Sequence, residues 1–96
     1  MPLAFEWDTR KAKANLRKHG VSFDEACTVF DDLGAKIFPD EVHSNGEERE
    51  IIVGYSILDR VLLVSFTERF TDRVRIISAR KATRREQKDY EENIGS

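Results

Sequence analysis

VRIISARKATRRE, residues 74–86, is the stretch from which we interpret the fold. Its first half alternates with a period of two residues, which predicts a strand whose side chains point to opposite faces of a sheet. Thr83 and Glu86 have the spacing of a capping box, which predicts that a helix starts directly after this strand. Seven of the sixteen residues from 73 to 88 are Lys or Arg. This local concentration of positive charge predicts a polyanionic partner.

The 96 residues predict a single domain, 1–96, because the chain is too short for two hydrophobic cores. The net charge of −2 is the sum of +3 over residues 1–20, −8 over 21–59, +6 over 60–88 and −3 over 89–96. We therefore expect one positive and one negative face. The sequence contains no run that is apolar enough for a membrane span or a signal peptide, and Cys27 is its only cysteine. We expect a cytoplasmic protein in which Cys27 is a core residue rather than a nucleophile.

The remaining patterns predict an α+β fold with two N-terminal helices, a four-stranded, mostly antiparallel sheet and a C-terminal helix. The first helix, Thr9 to His19, has Asp8 as its N-cap and Gly20 at its end, and Ala12 and Leu16 are its main apolar contacts. The second helix starts at a capping box of Ser22 and Glu25. The expected strands and the last helix are Ala35 to Phe38, Glu50 to Ser56, Val61 to Glu68, Arg73 to Arg80, and Arg84 to Ile94.

The last helix has few apolar anchors, mainly Tyr90 and Ile94, so we expect it to be mobile or docked onto a partner.

The loop Phe70 to Asp72 predicts a hairpin register that creates a cationic face. In this register Arg69 lies opposite Arg73, Thr67 opposite Arg75, and Ser65 opposite Ile77. A two-residue turn would shift the pairing by one residue and remains an alternative. The arginines of this face fit phosphate recognition. They also fit a solvated strand edge that discourages pairing with other molecules.

Few side chains have the type and setting of proton-transfer groups. His19 lies next to Lys18 at the end of the first helix, where helix capping is its alternative role. Glu68 is a possible base or the partner of an arginine in an ion pair. His43 lies in an acidic loop, but a single histidine is a weak metal signal. We expect no metal and no cofactor.

Three segments of the chain closely resemble the BrnT family of bacterial type II toxins: FEWDTRKAKANLRKHGVSFDEACTVFDD (5–32), GEERE (46–50) and RVRIISARKATRREQKDYE (73–91). The resemblance implies a RelE-like fold and a ribonuclease that arrests translation. It also implies a BrnA-type antitoxin partner, encoded beside the toxin, which neutralises it and binds operator DNA. We expect this partner to cover the C-terminal helix and the arginines at the rim of the sheet.

Metal-free RNA cleavage in such toxins requires a base, an acid and a group that stabilises the phosphate charge. As catalytic candidates we name Arg69, Arg75 and Arg80 for the phosphate, and Lys18, His19 and Glu68 for proton transfer. As RNA-binding candidates we name Arg49, Thr67, Arg73, Lys81 and Arg84. The alternative functions are a non-catalytic module that binds nucleic acid and a co-repressor that acts only with the antitoxin.

Overall fold

The computed structural model describes residues 3–42 and 48–93. Within these ranges the chain forms three α-helices and five strands, so the predicted α+β class is confirmed. The elements in chain order are β1 (Ala4–Glu6), α1 (Thr9–His19), α2 (Phe23–Thr28), a 3-10 turn (Val29–Asp31), β2 (Lys36–Pro39), β3 (Glu50–Tyr55), β4 (Val61–Phe70), β5 (Arg73–Lys81) and α3 (Arg84–Asn93).

The strands form one sheet in the order β1-β5-β4-β3-β2. All neighbours are antiparallel except β1 and β5, which are parallel. The prediction of four strands was wrong because it omitted β1. This strand has only three residues, and Phe5 pairs with Val74 far along the chain. A three-residue segment is too short for its own periodicity to identify it as a strand.

The predicted caps of α1 are confirmed. The carboxylate of Asp8 accepts hydrogen bonds from the backbone N–H groups of Arg10 and Lys11, at 2.8 and 3.2 Å. Gly20 ends the helix with φ of 69°, a left-handed conformation that glycine adopts without strain.

The capping box predicted for α2 forms only in part. Ser22 Oγ accepts from the backbone N–H of Glu25 at 3.0 Å, as expected. The Glu25 carboxylate, however, binds the hydroxyl of Ser56 and the guanidinium of Arg60. Burial of Glu25 explains the difference, because a buried carboxylate requires hydrogen-bonding partners. The hydrogen bond from Arg60 is the main reason that the pKa of Glu25 lies below its usual value.

Helices α1 and α2 cover one side of the sheet, which we call the helix face. The core lies between these helices and the sheet. Phe30 packs edge-on against Phe5 and Phe66, with ring centroids 5.1 and 5.0 Å apart. Burial is the main cause that raises the pKa of Cys27 to about 11, which agrees with a packing role for its thiol. The buried core residues are Val21, Phe23, Ala26, Val29, Ile52, Leu62, Val64, Phe66, Val74, Ile76 and Ala79.

Asn15 joins α1 to the sheet in a way that the sequence analysis did not predict. We expected Leu16 to be a main contact of α1, but 51% of Leu16 is exposed and only 7% of Asn15 is. The Asn15 amide nitrogen donates to the carbonyls of Val21 and Ala79, at 2.9 and 2.8 Å. Its amide oxygen accepts from the N–H of Ala79 at 3.0 Å. The side chain thus pairs with β5 as a neighbouring strand would, beyond the point where β1 ends.

Helix α3 lies on the opposite side of the sheet and is docked there by two tyrosines. The hydroxyl of Tyr90 donates to the Asp32 carboxylate at 2.8 Å, and Tyr55 donates to Glu91. Gly54 leaves room for the Asp32 carboxylate beside β3, because a Cβ on residue 54 would lie 2.8 Å from an Asp32 oxygen. Helix α3 is therefore docked on its own sheet, and its docking onto a partner stays a prediction.

Candidate functional site

An extra residue in β5 changes the predicted hairpin register. Thr67 pairs with Arg75, as predicted, but Ser65 pairs with Ser78. The prediction that Ser65 lies opposite Ile77 was therefore wrong. Ile77 is the additional residue of a β-bulge, where two residues of one strand face one residue of its neighbour.

This bulge places Arg75 and Arg80 on the same face of the sheet. Residues five positions apart in a regular strand point to opposite faces. In β5, Val74 and Ile76 are buried in the core, and after the bulge Ala79 is buried. The alternation between buried and exposed side chains therefore shifts by one residue between Ile76 and Ala79. As a result, Arg75 and Arg80 both point away from α1 and α2.

We call this side of β4 and β5 the arginine face. Arg75 and Arg80 are separated along β5 by about 15 Å, from the rise per residue of a strand. Hydroxyl groups lie between them, because Ser65 and Ser78 are opposite each other in the register. The arginine face thus has a guanidinium group at each of two points and neutral hydroxyl donors between them. Its residues are Ser65, Thr67, Arg73, Arg75, Ser78 and Arg80.

Glu6 in β1 adds a carboxylate to the arginine face. Its two oxygens lie 3.8 Å from Nε of Arg73 and 3.9 Å from Nε of Arg75. These contacts are long and solvent-exposed, with 42% of the Arg75 side chain accessible, so they contribute little stability and do not prevent an anion from binding. The sequence analysis missed Glu6. Phe5 and Trp7 alternate around Glu6, but this pattern is too short to identify a strand on its own.

Arg80 forms a stronger bond with α3. Its guanidinium donates to both oxygens of Glu86, at 2.8 and 2.9 Å. The Glu86 carboxylate also accepts from the N–H of Thr83, and Thr83 Oγ1 accepts from the N–H of Glu86, so the predicted capping box is confirmed. The bond from Arg80 is the main cause that lowers the pKa of Glu86 to about 2.

We expect the Arg80–Glu86 bond to make the docking of α3 sensitive to acid. A carboxyl with a lowered pKa stabilises the folded state fully above its ordinary pKa, near 4.5, and loses this contribution as the pH falls towards about 2. Glu86→Gln should therefore lower the free energy of unfolding at pH 7 by about 1 kcal/mol, because the pair is partly exposed. The difference from the parent should vanish near pH 2. Urea unfolding followed across this pH range measures both effects.

Glu92→Gln is the matched control, since Glu92 is an exposed carboxyl on the same helix. It should unfold as the parent does at every pH. A Glu86→Gln protein that is as stable as the parent at pH 7 would contradict the assigned role of the bond.

A second bulge moves Arg69 out of its predicted position. Phe70, not Arg69, pairs with Arg73, so the expected Arg69–Arg73 pair was wrong. Arg69 is the additional residue here, which the assumption of a regular ladder did not allow for.

Glu68 lies in an acidic setting at this end of β4. It pairs with Val74, whose side chain is in the core, so strand alternation places Glu68 on the helix face. Glu48, Glu50, Glu68 and Arg69 contribute to an open cleft of about 340 Å³. Burial, and then the charges of Glu68 and Glu48, raise the pKa of Glu50. The structure thus groups Glu68 with two other carboxylates rather than with Arg75.

The other predicted residues are divided between the two sides of the sheet. Lys18 and His19 end α1 and belong to the helix layer. Lys81 pairs with the buried Leu62, which places it on the helix face. Arg84 is exposed in the first turn of α3. His43 lies outside the described residues.

Thr67 belongs to the arginine face and lies beside the start of β3, which Arg49 precedes. Thr67 is buried, and its hydroxyl donates to the carbonyl of Glu48, beside Arg49, at 2.9 Å. The structure therefore brings together Thr67, Arg73, Arg75 and Arg80, with Arg49 at one end. It separates them from Lys18, His19, Glu68 and Lys81.

Comparison with known proteins identifies the family. A family model described as "Ribonuclease toxin, BrnT, of type II toxin-antitoxin system" matches residues 7–86. The chain belongs to the BrnT family. The matched residues include the whole of β4 and β5, and hence both arginines of the bulged strand. Membership makes the chain a ribonuclease toxin of a type II system, and a toxin of this kind has an antitoxin partner.

A solved structure agrees with the assignment to the BrnT family. The crystal structure of the Brucella abortus ribonuclease toxin BrnT superposes with a TM-score of 0.69 and 26% sequence identity. The match covers 85% of this chain and 99% of the Brucella chain. The comparison with curated protein sequences gives no match. Among the described residues, no helix has the length and apolarity required to cross a membrane.

Proposed function

We propose that this BrnT-family chain is an endoribonuclease that cleaves RNA without a metal ion, arrests translation in the cytoplasm and is neutralised by a BrnA-type antitoxin. The observation that carries the proposal is the bulge at Ile77, which aligns Arg75 and Arg80 on one exposed face. Guanidinium groups bind phosphate oxygens in a bidentate manner, and two of them along one strand fit a ligand with repeated phosphates.

The proposed reaction is an attack of the RNA 2′-hydroxyl on the neighbouring 3′ phosphate. A base removes the proton of the 2′-hydroxyl as its oxygen bonds to phosphorus. The bond from phosphorus to the 5′ oxygen breaks, and this oxygen takes up a proton from an acid. The products are a 2′,3′-cyclic phosphate and a 5′-hydroxyl. Negative charge increases on the phosphate oxygens during the attack, so a fixed guanidinium beside them lowers the barrier.

Arg75 is our first candidate for this charge-stabilising role. Its contact with Glu6 is long, and 42% of its side chain is exposed, so a phosphate has access to it. Arg80 is bound by both oxygens of Glu86. A phosphate at Arg80 must therefore displace a carboxylate, and we assign Arg80 to binding the RNA strand away from the scissile bond. Arg73 would bind RNA beside Arg75, while Arg49 and Arg84 lie at the two ends of the face.

Glu6 is our first candidate for the base. It is the carboxylate that contacts Arg75 in the described structure, and it lies on the same side of the sheet. Glu68, Lys18 and His19 are less suitable for this role, since the sheet separates them from Arg75. The pH dependence of cleavage by Glu6→Gln and Glu68→Gln distinguishes the two carboxylates, because loss of the base removes the acidic limb of the rate profile.

The test is incubation of the purified chain with a defined RNA in excess chelator, followed by analysis of the cut ends. We expect cyclic-phosphate and 5′-hydroxyl ends. Activity that returns only when Mg²⁺ is added would contradict metal independence. Bound but intact RNA would favour the alternative of a non-catalytic module, whose binding weakens with salt but leaves no cut ends.

The antitoxin completes the proposed system. We propose that operator DNA is bound only by the complex, through the antitoxin, and that the toxin contacts RNA. A co-repressor that never cleaves is the alternative. Gel-shift assays with the toxin alone and with the complex test the DNA binding, because only the complex should retain operator DNA. The cleavage assay separates the two functions, because a co-repressor that never cleaves leaves RNA intact.

A further inference from the structure

Strand β2 is an apolar edge of the sheet. Within the described part of the chain, β3 is its only neighbouring strand. Ile37 and Phe38 in its centre are 53% and 51% exposed. Proteins usually protect such edges with charges or proline, because open backbone groups pair with other chains. Here Lys36 and Pro39 protect only the two ends, so the centre is suited to a partner.

The backbone of β2 has hydrogen-bonding groups that point away from the sheet. The N–H of Asp40 donates to the carbonyl of Arg49 at 2.8 Å, which fixes the alternation in this antiparallel pair. Phe38, two residues earlier, therefore also directs its backbone groups towards β3. Pro39, which lies between them, directs its C=O to the open side, and Ile37, which precedes Phe38, directs both its N–H and its C=O there. An added strand would find one donor and two acceptors.

An apolar groove adjoins this edge. It has a volume of about 380 Å³ and lies between the sheet and α3. Phe38 belongs both to the edge strand and to the groove, so a segment paired with β2 would direct alternate side chains into the groove. Leu63 in the groove pairs with Arg80, which places the groove at one end of the arginine face. The other apolar residues of its lining are Ile51, Val53 and Tyr90.

The charge around the edge and groove is mainly negative. Such a surface repels RNA and attracts a basic peptide. The acidic residues next to β2 and along the groove are Asp40, Glu41 and Asp89, against one positive charge from Lys36 in the lining, while Glu86 is bound by Arg80.

We propose that the antitoxin adds an extended segment to the free edge of β2, with apolar side chains in the groove and Lys or Arg residues on either side of them. The inference rests on the proposed neutralisation of this chain by an antitoxin. The occupant is a protein segment because the surface offers backbone pairing, an apolar groove and negative charge together. The antitoxin footprint therefore lies along the β2 edge and α3 rather than over Arg73 and Arg75.

The test uses the toxin and its cognate antitoxin, with affinity measured by calorimetric titration. Ile37→Asp and Phe38→Asp add a negative charge where the apolar segment docks, and we expect each to weaken binding by at least about tenfold. Ile57→Asp is the matched control, since Ile57 is an apolar residue that is 77% exposed outside β2. It should bind the antitoxin as the parent does. All three positions are exposed, so the thermal midpoints should stay close to that of the parent.

Hydrogen exchange provides a second readout that does not depend on the variants. The amide of Ile37 should exchange with solvent in the free toxin and become protected in the complex. Antitoxin binding that is unchanged in both β2 variants, or an Ile37 amide without protection, would overturn the inference. A third result would also overturn the inference: the free toxin forms a dimer, Ile37→Asp dissociates this dimer, and antitoxin affinity is unchanged. The edge would then pair with a second copy of the chain.

The RNA assay separates this inference from the proposed function. Ile37→Asp and Phe38→Asp should cleave RNA at the parental rate when the antitoxin is absent. If the parent leaves RNA intact while the antitoxin protects β2, only the proposed cleavage is contradicted. If the parent cleaves RNA and the β2 variants bind antitoxin normally, only the docking site is contradicted.

Discussion

Replacing Arg75 with alanine is expected to lower the rate of RNA cleavage by about 10²- to 10³-fold, the usual effect of removing one well-placed donor to a developing negative charge. The guanidinium of Arg75 lies 3.9 Å from the exposed carboxylate of Glu6, a long ion pair that contributes little stability. Its loss should therefore leave the fold intact. Single-turnover cleavage of a defined RNA, with excess enzyme, measures the chemical step directly.

Two variants make the Arg75 experiment specific. Arg75→Lys keeps the charge but loses the bidentate geometry, so it should restore binding more than catalysis. Arg17→Ala removes an exposed arginine from α1, in the helix layer, and should cleave RNA at nearly the parental rate. Parental cleavage by Arg75→Ala would remove Arg75 from the mechanism. Equal losses in Arg75→Ala and Arg17→Ala would indicate that only overall charge matters.

Asn15→Ala should cause the largest loss of stability, about 2 to 4 kcal/mol. The substitution leaves the N–H and C=O of Ala79 and the C=O of Val21 without their present partner, in a position where water has little access. An unsatisfied buried polar group costs about 1 to 3 kcal/mol, and part of this cost is recovered when the structure relaxes. Equilibrium unfolding in urea, monitored by the fluorescence of Trp7, measures the difference.

Asn93→Ala is the control for the Asn15 experiment. The Asn93 side chain is exposed and bonds to the carbonyl of Asp89 within α3, so its loss should change the free energy of unfolding by less than about 0.5 kcal/mol. A loss below about 1 kcal/mol in Asn15→Ala would show that water replaces the amide easily, and that Asn15 does not act as a substitute for a neighbouring strand.

The parts of the fold that depend on nearby residues could be predicted from the sequence. Asp8 and Gly20 bound α1, and Thr83 with Glu86 begins α3, because the groups that cap a helix lie within a few residues of each other. The pairing of Thr67 with Arg75 was also predicted, but the hairpin closes with the two-residue turn that was the alternative, and the bulge at Arg69 restores the predicted pair. The α+β class and the arginines of β5 as candidates thus came from the sequence.

The parts that depend on distant contacts could not be predicted in this way. The segment around Ile77 contains no glycine or other local sign of a bulge, and in a regular strand Arg80 would lie on the face opposite to Arg75. Glu6 reaches Arg75 only because β1 pairs with β5. Asn15 could have been recognised as a polar residue beside the apolar positions of α1, but its partner in Ala79 could not.

The contacts of the N-terminal part with β5 also bear on how the toxin is made. Asn15 and Ala79 are 64 positions apart, and β1 pairs with residues 73–75, so β1 and Asn15 have no partner in the sheet until the last third of the chain follows. Contacts of such long range form late and slow the folding of small domains. The strand that completes the fold also carries Arg75 and Arg80. A translation product that stops before β5 thus lacks both the strand that completes the fold and the two arginines of the candidate site.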